Sequence, residues 1–396
     1  MEKAEVLFLC HRIPYPPDKG DKIRSWRMLR HLASKYHVHL GCFVDDPHDM
    51  QYRDKVSEIV KSAAFVELSP LQARIKSLSA FLRNGALSDA YYASSQMRRY
   101  VENVRGRSLS VEIIFSAPMA QYISTPRGSH RRIVDFCDAD SEKWRAYGAD
   151  MVPPMSWVYR YEADRARRTE QDIIGWADHC FAITPDEASL FAPMPGEPTR
   201  VDWWCNGVDT EYFDPALVTR APAEPVDVIF TGAMDYKPNV DAVLRFAAGP
   251  WQQIMKAIPE ARFGVVGARP VASIKALGGN GNIVVTGRVD DMRDWLKAAK
   301  VAIAPMDVAR GVQNKVLEAM AMGLPVVAST PAITGIECAD SVCVEIADDP
   351  KSFAASVIAL LGDPQRRLEL GAMARERVVH RHNWASQLKR FDNSLP

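Results

Sequence analysis

Short runs of consecutive apolar residues alternate along the chain with longer segments in which apolar residues recur every three or four positions. A strand with one solvated face alternates apolar and polar residues, and these short runs do not. Continuous apolar runs are typical of parallel strands that helices cover on both faces. The pattern predicts thirteen strands, at residues 6–10, 38–44, 65–68, 112–116, 132–136, 179–184, 200–205, 226–232, 262–267, 282–287, 301–305, 325–329 and 342–346.

Because strands and helical segments alternate from end to end, we predict an α/β protein built from doubly wound parallel sheets. The segment 213–227 contains three prolines and no periodicity, which is typical of a linker. We therefore predict an N-terminal Rossmann-like domain at 1–215 and a C-terminal one at 216–375. A helix at 376–396 is expected to follow and to pack back on the N-terminal domain.

The composition, with 47% apolar and 25% charged residues, is that of an ordinary globular protein. The 49 basic side chains balance the 49 acidic ones, so no net field favours nucleic acid as a partner. The seven cysteines are scattered and never spaced Cys-x-x-Cys, which argues against a disulfide framework and a zinc site. No apolar stretch approaches the ~20 residues of a membrane span, and the first is too short for a signal peptide. We expect a cytoplasmic protein.

The most informative stretch follows the predicted strand at 301–305, where a loop with Gly311 leads into a helix expected to begin near Val312. The unpaired backbone N–H groups and the dipole at a helix start favour an anion such as phosphate. Lys315 adds a positive charge nearby. The residues predicted to form this anion site are Gly311, Val312, Gln313, Asn314 and Lys315.

One acid, Glu318, lies within the apolar part of the same helix. Asn314 and Glu318 are four residues apart and share one helical face, at the margin of the apolar stripe that contains Leu317 and Met320. The acceptor oxygens of a carboxylate at this margin suit vicinal hydroxyls such as those of a ribose. The alternative is an ordinary solvated glutamate on a helix.

Several blocks of the sequence resemble a known enzyme family. KVLEAMAMGLPVVAS (315–329) resembles the Glu-Ala-Met-Ala-x-Gly-x-Pro-Val-Val segment of retaining GT-B glycosyltransferases of the large family 4, or group 1, type. NGVDTEYFDP (206–215) and FTGAMDYKPNVDAV (230–243) look like its interdomain segment and the opening of its nucleotide domain. LCHRIPYPPDKGDKIRSW (9–26) and DFCDADSEKW (135–144) look more specifically like the sugar transferases associated with bacterial exopolysaccharide and exosortase (PEP-CTERM) loci.

This resemblance implies a GT-B fold, in which an acceptor-binding and a nucleotide-sugar-binding Rossmann-like domain face each other across a cleft. It also implies transfer of a sugar from a UDP- or GDP-linked donor to a hydroxyl of a glycan or lipid-linked oligosaccharide, with retention of configuration. No cofactor beyond this donor, and no metal, is expected. A role in exopolysaccharide biosynthesis follows from the more specific resemblance.

The family carries a Glu-x7-Glu pair around the helix that contains Glu318. The second glutamate matches Glu318, which would hold the ribose hydroxyls of the donor. The first falls at Arg310, which is expected to bind either the carboxylate of a uronic acid donor or the donor diphosphate. The family's phosphate-binding lysine matches Lys237, which would stabilise the charge on the leaving diphosphate. Ala233 stands where the family usually has an arginine.

Two further loops complete the predicted donor site. By resemblance, Arg288 and Val289 lie in the loop whose backbone contacts the nucleotide base, and Asp290 is expected to cap the following helix. Gly20 opens a helix after a proline-rich loop, where a phosphate or the acceptor could approach the backbone closely. Arg24 or Arg288 is the expected replacement for the missing arginine. The cations beside Gly20 are Lys19, Lys22 and Arg24.

Asp138 follows the predicted strand at 132–136 and is expected to orient the acceptor or to stabilise positive charge at the reacting carbon. Asp138 and Asp140 could instead hold a metal ion, although Asp140 would serve equally well as a helix cap. The predicted catalytic residues are Lys237, Asp138 and Glu318. The predicted donor-binding residues are Gly20, Arg24, Arg288, Val289, Arg310, Gly311, Val312, Gln313, Asn314, Lys315 and Glu318.

Three alternatives stay open. The basic helical segment at 71–86 has no acid, and its apolar stripe is expected either to touch an anionic membrane or to face the core. A nucleotide-sugar epimerase or a dehydrogenase would use similar sheets, but a dinucleotide site needs glycines after a strand, and GGNGNIVVTG (278–287) has them before one. A non-catalytic GT-B partner subunit would account for the residues found at 233 and 310.

Overall fold

The computed structural model describes residues 3–123, 130–149, 151–192, 199–279, 282–307, 311–336 and 343–396. The chain divides into two compact units, one formed by residues 1–204 together with 388–396 and the other by residues 205–387. Each unit is built on one sheet, and all described strand pairs are parallel.

The first unit contains a seven-stranded sheet. Its strands are β1 (Glu5–Cys10), β2 (His37–Val44), β3 (Ser62–Glu67), β4 (Leu109–Phe115), β5 (Arg131–Cys137), β6 (His179–Ala182) and β7 (Val201–Trp203). Its helices are α1 (Gly20–Lys35), α2 (Arg53–Ser57), α3 (Pro70–Ser77), α4 (Ser79–Arg83), α5 (Leu87–Tyr91), α6 (Ser95–Arg105), α7 (Asp140–Ala149), α8 (Met155–Trp176) and α9 (Pro185–Ser189). The strand order across the sheet is β3-β2-β1-β4-β5-β6-β7.

The second unit contains a six-stranded sheet. Its strands are β8 (Val228–Thr231), β9 (Phe263–Val266), β10 (Ile283–Gly287), β11 (Val301–Ala304), β12 (Val326–Ala328) and β13 (Glu345–Ile346), in the order β10-β9-β8-β11-β12-β13. Its helices are α10 (Lys237–Ala248), α11 (Pro250–Ala257), α12 (Ala272–Lys275), α13 (Met292–Ala298), α14 (Asn314–Ala321), α15 (Pro350–Gly362) and α16 (Pro364–Arg381). The last helix, α17 (Trp384–Asp392), begins in this unit and ends in the first. Among the described residues, no helix is both long and apolar enough to cross a bilayer.

Burial explains why the strands are continuous apolar runs. The interior strands β1, β2, β8 and β11 are buried along almost their whole length, whereas the edge strands β3 and β10 are mostly half-buried. Each of the thirteen predicted runs overlaps one strand of the described residues. The predicted pair of doubly wound, Rossmann-like sheets is therefore confirmed.

The strand order of each sheet contains one topological switch point. In the first sheet β1 lies between β2 and β4, and in the second β8 lies between β9 and β11, so the connections that follow depart in opposite directions. Doubly wound sheets bind ligands at the carboxyl ends of the strands at this point. Ligand-binding sites are therefore expected in the loops that follow Cys10, Phe115, Thr231 and Ala304.

The boundary between the units lies between Trp204 and Cys205, earlier than the predicted boundary at 215. β7 is the last strand of the first sheet, and the chain just beyond it already belongs to the second unit. There Val208 forms an isolated parallel bridge with Asn383. The prolines on which the prediction was based mark irregular backbone, and irregular backbone does not identify the unit to which a segment belongs.

The predicted C-terminal helix is two helices, α16 and α17, and the chain then returns to the first unit. Residues 388–396, called here the return segment, group with that unit. Asp392 accepts a hydrogen bond from Lys35 at 2.8 Å, and the fully buried ring of Phe391 lies 5.9 Å from that of Trp204. The return segment therefore completes the core of the first unit.

Of the described cysteines, five take part in no disulfide, namely Cys10, Cys42, Cys137, Cys180 and Cys205. Cys343 is disulfide-bonded. A bond at one described cysteine does not amount to the disulfide framework that the scattered cysteines argue against.

Candidate functional site

At the switch point of the second sheet, two glycines bring the loops after β8 and β9 together. Gly232 follows β8 with a φ of +151°, and a Cβ atom there would lie 2.7 Å from Nδ2 of Asn239. Gly267 follows β9 with the same φ, and a Cβ atom there would overlap the carbonyl oxygen of Gly232. Only glycine allows both the conformation and the contact, so these loops touch through backbone alone.

Lys315, in the first turn of α14, reaches the glycine turn after β8. Its ammonium donates a hydrogen bond to Oδ1 of Asn239 at 2.5 Å and lies 4.3 Å from the centre of the Phe230 ring. A Cβ atom at Gly232 would be 3.7 Å from this ammonium. Asn239 in turn donates to the carbonyl of Ala233 at 2.9 Å. The amine of Lys315 is thus fixed at the carboxyl end of β8 by Asn239, a residue that was not predicted from the sequence.

Glu318 lies one turn further along α14, between the fully buried Leu317 and Ala319. Its side chain is half-buried and accepts no hydrogen bond from another described residue. Burial raises the pKa of the Glu318 carboxyl to about 7, and the charge of Lys315 opposes this increase. Burial also lowers the pKa of the Lys315 ammonium to about 7, against the opposing charge of Glu318. Both groups therefore titrate near neutral pH, with acceptor oxygens left for a ligand.

This burial predicts a pH-dependent gain in stability for Glu318→Gln. A carboxyl whose folded-state pKa lies near 7 instead of 4.5 contributes stability that is fully present below pH 4.5 and is lost as the pH rises through 7. Glutamine does not ionise and avoids that loss. We expect Glu318→Gln to raise Tm by about 2–4 °C at pH 8 and by clearly less at pH 6.

Thermal unfolding of both proteins at the two pH values measures this difference. Glu376→Gln, at an exposed position on α16, is the matched control and should show no pH-dependent gain. An equal rise in Tm at both pH values would show that ionisation of the Glu318 carboxyl does not lower the stability of the folded protein.

The loop before α14 supplies backbone to the same place. Gly311 is buried with a φ of +63°, and Val312 is also buried. α14 begins at Asn314, two positions later than predicted, because the extended residue Gln313 is its N-cap. Among the described residues no side chain caps this helix, which leaves its first amides to other acceptors. Arg310 lies outside the described residues.

Lys237, predicted to be catalytic, is the first residue of α10. Its side chain is 84% exposed, and its ammonium pairs with Asp241 one turn later at 2.5 Å. Water screens such an exposed pair, so its charge acts more weakly than a buried one. The role of Lys237 stays a prediction.

The loop predicted to contact the base follows β10. Arg288 is exposed and Val289 is half-buried, directly after Gly287 with its φ of +69°. The cap of the next helix is Asp291, which accepts from the backbone N–H of Arg293 at 2.9 Å, and not Asp290 as predicted. The helix begins one residue later than the sequence suggested.

Arg24 was predicted to bind the donor; this stays a prediction, which the position of the side chain does not favour. The side chain is fully buried in the first unit and donates to the Asp135 carboxylate at 2.8 Å and to the Trp204 carbonyl at 2.8 Å. Its guanidinium also lies 3.4 Å from the centre of the Trp204 ring. Lys22 is buried as well and pairs with Asp49 at 2.8 Å. Two of the three cations of the predicted cluster, Lys22 and Arg24, therefore do not face solvent, whereas Lys19 is half-buried.

Two other predicted residues of the first unit lie near its surface. Gly20 is exposed at the start of α1, and a Cβ atom there would meet no atom within 4 Å. Asp138 is half-buried after β5; burial raises the pKa of its carboxyl, against the opposing charge of Lys143. Asp140 begins α7 and pairs with Lys143 at 3.1 Å. Within the described residues, no three His, Cys, Asp or Glu side chains are grouped as a metal ion would need.

A charged cluster at the carboxyl end of β1 was not predicted. His11 Nε2 lies 3.1 Å from Asp21, while Arg12 contacts both Asp21 and Asp45 at 2.8 Å. Although burial acts in the opposite direction, the hydrogen bonds and charges of His11 and Arg12 hold the pKa of the Asp21 carboxyl well below its usual range. The sequence does carry a signal for this cluster, because a histidine and an arginine directly follow the strand at the switch point.

Comparison with known proteins bears on the second unit most directly. Residues 225–363 match the family described as glycosyl transferases group 1. The chain is also similar to the GDP-mannose-dependent monoacylated alpha-(1-6)-phosphatidylinositol monomannoside mannosyltransferase of Corynebacterium glutamicum. The two are 30% identical over 216 residues, and this alignment covers 48% of this chain and 54% of the relative. Residues 225–363 of the second unit are therefore similar to glycosyl transferases group 1. The chain spans about half the length of the curated relatives it matches.

Solved structures extend the likeness in fold to nearly the whole chain. Sucrose-phosphate synthase from Thermosynechococcus elongatus has a TM-score of 0.71 at 15% identity, with 99% of this chain and 98% of that chain covered. HepE of Anabaena, in complex with UDP and glucose, has a TM-score of 0.68 at 12% identity, with 99% of each chain covered. At these identities the likeness is one of fold, and the GT-B fold that the sequence resemblance implied is confirmed.

Proposed function

We propose that this protein transfers a sugar from a nucleotide diphosphate donor to a hydroxyl of a glycan or lipid-linked oligosaccharide. The observation that carries the proposal is the position of Lys315 and Glu318 on α14, beside the glycine turn that follows β8. A fixed cation at a glycine turn suits a diphosphate, and a carboxylate with free acceptor oxygens one turn away suits a ribose. The match of residues 225–363 to glycosyl transferases group 1 supports the same reaction class.

In the proposed reaction the bond between the anomeric carbon and the diphosphate oxygen breaks. A bond to the acceptor oxygen forms on the same face, and the leaving diphosphate takes the acceptor proton, so the configuration is retained. The protein supplies orientation and stabilises the negative charge of the leaving group. A bound diphosphate would raise the pKa of Lys315 again, because an adjacent anion favours the charged ammonium.

Further residues are proposed for the remaining parts of the donor and acceptor. Lys237, at the start of α10, and Arg310 are proposed to face the phosphates, with the carboxylate of a uronic acid sugar as the other proposed partner of Arg310. Arg288 and Val289 are proposed to contact the base. Asp138 is proposed to act on the acceptor side, beside the reacting carbon.

The relatives leave both nucleotide bases open as proposals. The corynebacterial relative is named for GDP-mannose and a phosphatidylinositol mannoside, whereas HepE is seen with UDP and glucose. We propose that the donor is a GDP- or UDP-linked sugar and that the reaction takes place in the cytoplasm. The resemblance of segments 9–26 and 135–144 to exopolysaccharide sugar transferases supports a product in exopolysaccharide biosynthesis.

Product analysis distinguishes this proposal from the alternatives. Purified protein is incubated with UDP- and GDP-sugars, with and without glycan acceptors. A transferase extends an acceptor and releases nucleoside diphosphate, whereas an epimerase converts the sugar nucleotide without an acceptor. A partner subunit, which the residues Ala233 and Arg310 favour, would turn over no donor. The matched family and the structural neighbours do not favour the epimerase.

The ribose role of Glu318 predicts weaker nucleotide binding by Glu318→Ala. Loss of a charged hydrogen bond should cost roughly 1.5–3 kcal/mol in the binding of UDP or GDP, measured by titration calorimetry. Glu260→Ala, at an exposed position of the same unit, is the control and should bind normally. Normal affinity in a folded Glu318→Ala protein would remove the ribose role.

A further inference from the structure

Two short helices of the first unit present large apolar side chains to solvent. In α3 and α4 the buried residues are Ala73 and Ala80, so the helices pack through small side chains. The exposed apolar residues are Leu71 (70%), Ile75 (64%), Leu78 (58%), Phe81 (39%) and Leu82 (91%). The expectation that this stripe faces the core is therefore wrong. Exposed apolar side chains grouped in this way mark an interaction surface.

The charges on these two helices all have one sign. Arg74, Lys76 and Arg83 are exposed on them. No acid occurs between Glu67 and Asp89. Within residues 68–88 the surface therefore combines apolar side chains with three cations and no carboxylate.

The start of α8 extends this surface. The ring of Tyr161 lies 4.7 Å from that of Phe81, and its hydroxyl donates to the carbonyl of Gly85 at 3.2 Å. Trp157 precedes Tyr161 by one helical turn, shares its face of α8 and is 65% exposed. Arg165, one turn after Tyr161, donates to the side chain of Asn84.

Tryptophan and tyrosine are enriched where protein meets the headgroups of a bilayer. The exposed side chains of residues 71–83, with Trp157, are called the docking surface.

We propose that the docking surface binds an anionic lipid bilayer, with its apolar side chains at the headgroup boundary and its cations on the lipid phosphates. A bilayer offers both apolar depth and negative charge, as this surface requires. A second copy of the chain, paired symmetrically, would bring three cations against three cations, which opposes self-association through this surface. The proposal does not rest on sugar transfer, because lipid binding is measured without a donor.

Co-sedimentation with vesicles tests the proposal on the full chain. We expect the wild type to sediment with vesicles of phosphatidylcholine and phosphatidylglycerol and to bind vesicles of phosphatidylcholine alone much less. Ile75→Ser/Leu82→Ser should lower the partition coefficient at least about tenfold, because both side chains are exposed and their apolar contact with lipid is lost. Arg74→Gln/Lys76→Gln/Arg83→Gln should lower it similarly and abolish its dependence on salt.

Matched controls come from the second unit. Leu217→Ser/Leu368→Ser replaces side chains that are 64% and 72% exposed, and Lys256→Gln/Lys275→Gln/Lys351→Gln removes three exposed cations. Both control proteins should sediment like the wild type. The proposal is overturned if the wild type stays in the supernatant with anionic vesicles, or if the controls lose binding equally. It is also overturned if the docking variants change only the oligomeric state in sedimentation velocity.

Discussion

Lys315→Ala is expected to lower donor turnover by about 10²–10³-fold, the loss found when one fixed charge-stabilising donor is removed from an active site. The ammonium of Lys315 is held at 2.5 Å by Asn239, lies beside the Gly232 turn and belongs to a half-buried side chain. An amine that is already in place stabilises a leaving diphosphate without further reorganisation, and the bound diphosphate favours its charged form. Lys237→Ala should lower donor turnover by less than about tenfold, since that side chain is exposed and paired with Asp241.

Release of nucleoside diphosphate at saturating donor measures both variants side by side. Lys256→Ala removes an exposed lysine of the same unit and serves as the control. The reverse order, with a large loss for Lys237→Ala and a small one for Lys315→Ala, would return the phosphate role to the lysine that the sequence resemblance favoured. Equal and near-normal rates would exclude both lysines from the chemistry.

Arg24→Ala is expected to lower the free energy of unfolding by about 3–5 kcal/mol, the cost of leaving one partner of a buried ion pair alone. The Asp135 carboxylate receives hydrogen bonds from Arg24 and from the indole N–H of Trp204, both at 2.8 Å, and is fully buried. Removing the guanidinium leaves this carboxylate without its countercharge in a poorly polarisable interior. The Trp204 carbonyl also loses its donor.

Urea unfolding followed by tryptophan fluorescence measures the loss, and Trp204 itself reports on the affected unit. Arg30→Ala, at an exposed position on the same helix, is the control and should change stability by less than about 0.5 kcal/mol. Nucleotide affinity gives a second readout. A folded Arg24→Ala protein with normal stability and weakened donor binding would restore the donor role that burial argues against.

The strands could be predicted because a parallel sheet is covered on both faces, so each strand is a continuous apolar run in the sequence. The pattern of a helix does not show in the same way which of its faces is packed. Periodicity showed that Ile75, Leu78 and Leu82 share a face, but it could not show whether anything covers that face. The structure places Ala73 and Ala80 on the packed side, and small side chains carry almost no signal in a hydrophobic pattern.

The candidate site could also be predicted only in part. Lys315 and Glu318 are three residues apart on one helix, so their joint position follows from helical geometry. Asn239 holds Lys315 from 76 positions away, and Arg24 meets Asp135 across 111 positions. Contacts at such separations depend on the order of strands in the sheet. A cation near a glycine turn therefore looked equally suited to phosphate at Arg24 and at Lys315, and only packing separates them.

The return segment has a consequence for synthesis on the ribosome. Phe391 fills the core of the first unit against Trp204, yet it is translated only after all of residues 205–387. At roughly 5–20 residues per second, the ribosome needs about 10–40 s to make that stretch. During this interval the nascent first unit has an apolar gap beside Trp204 that no later part of its own sheet can close. The unit that is made first is therefore completed last.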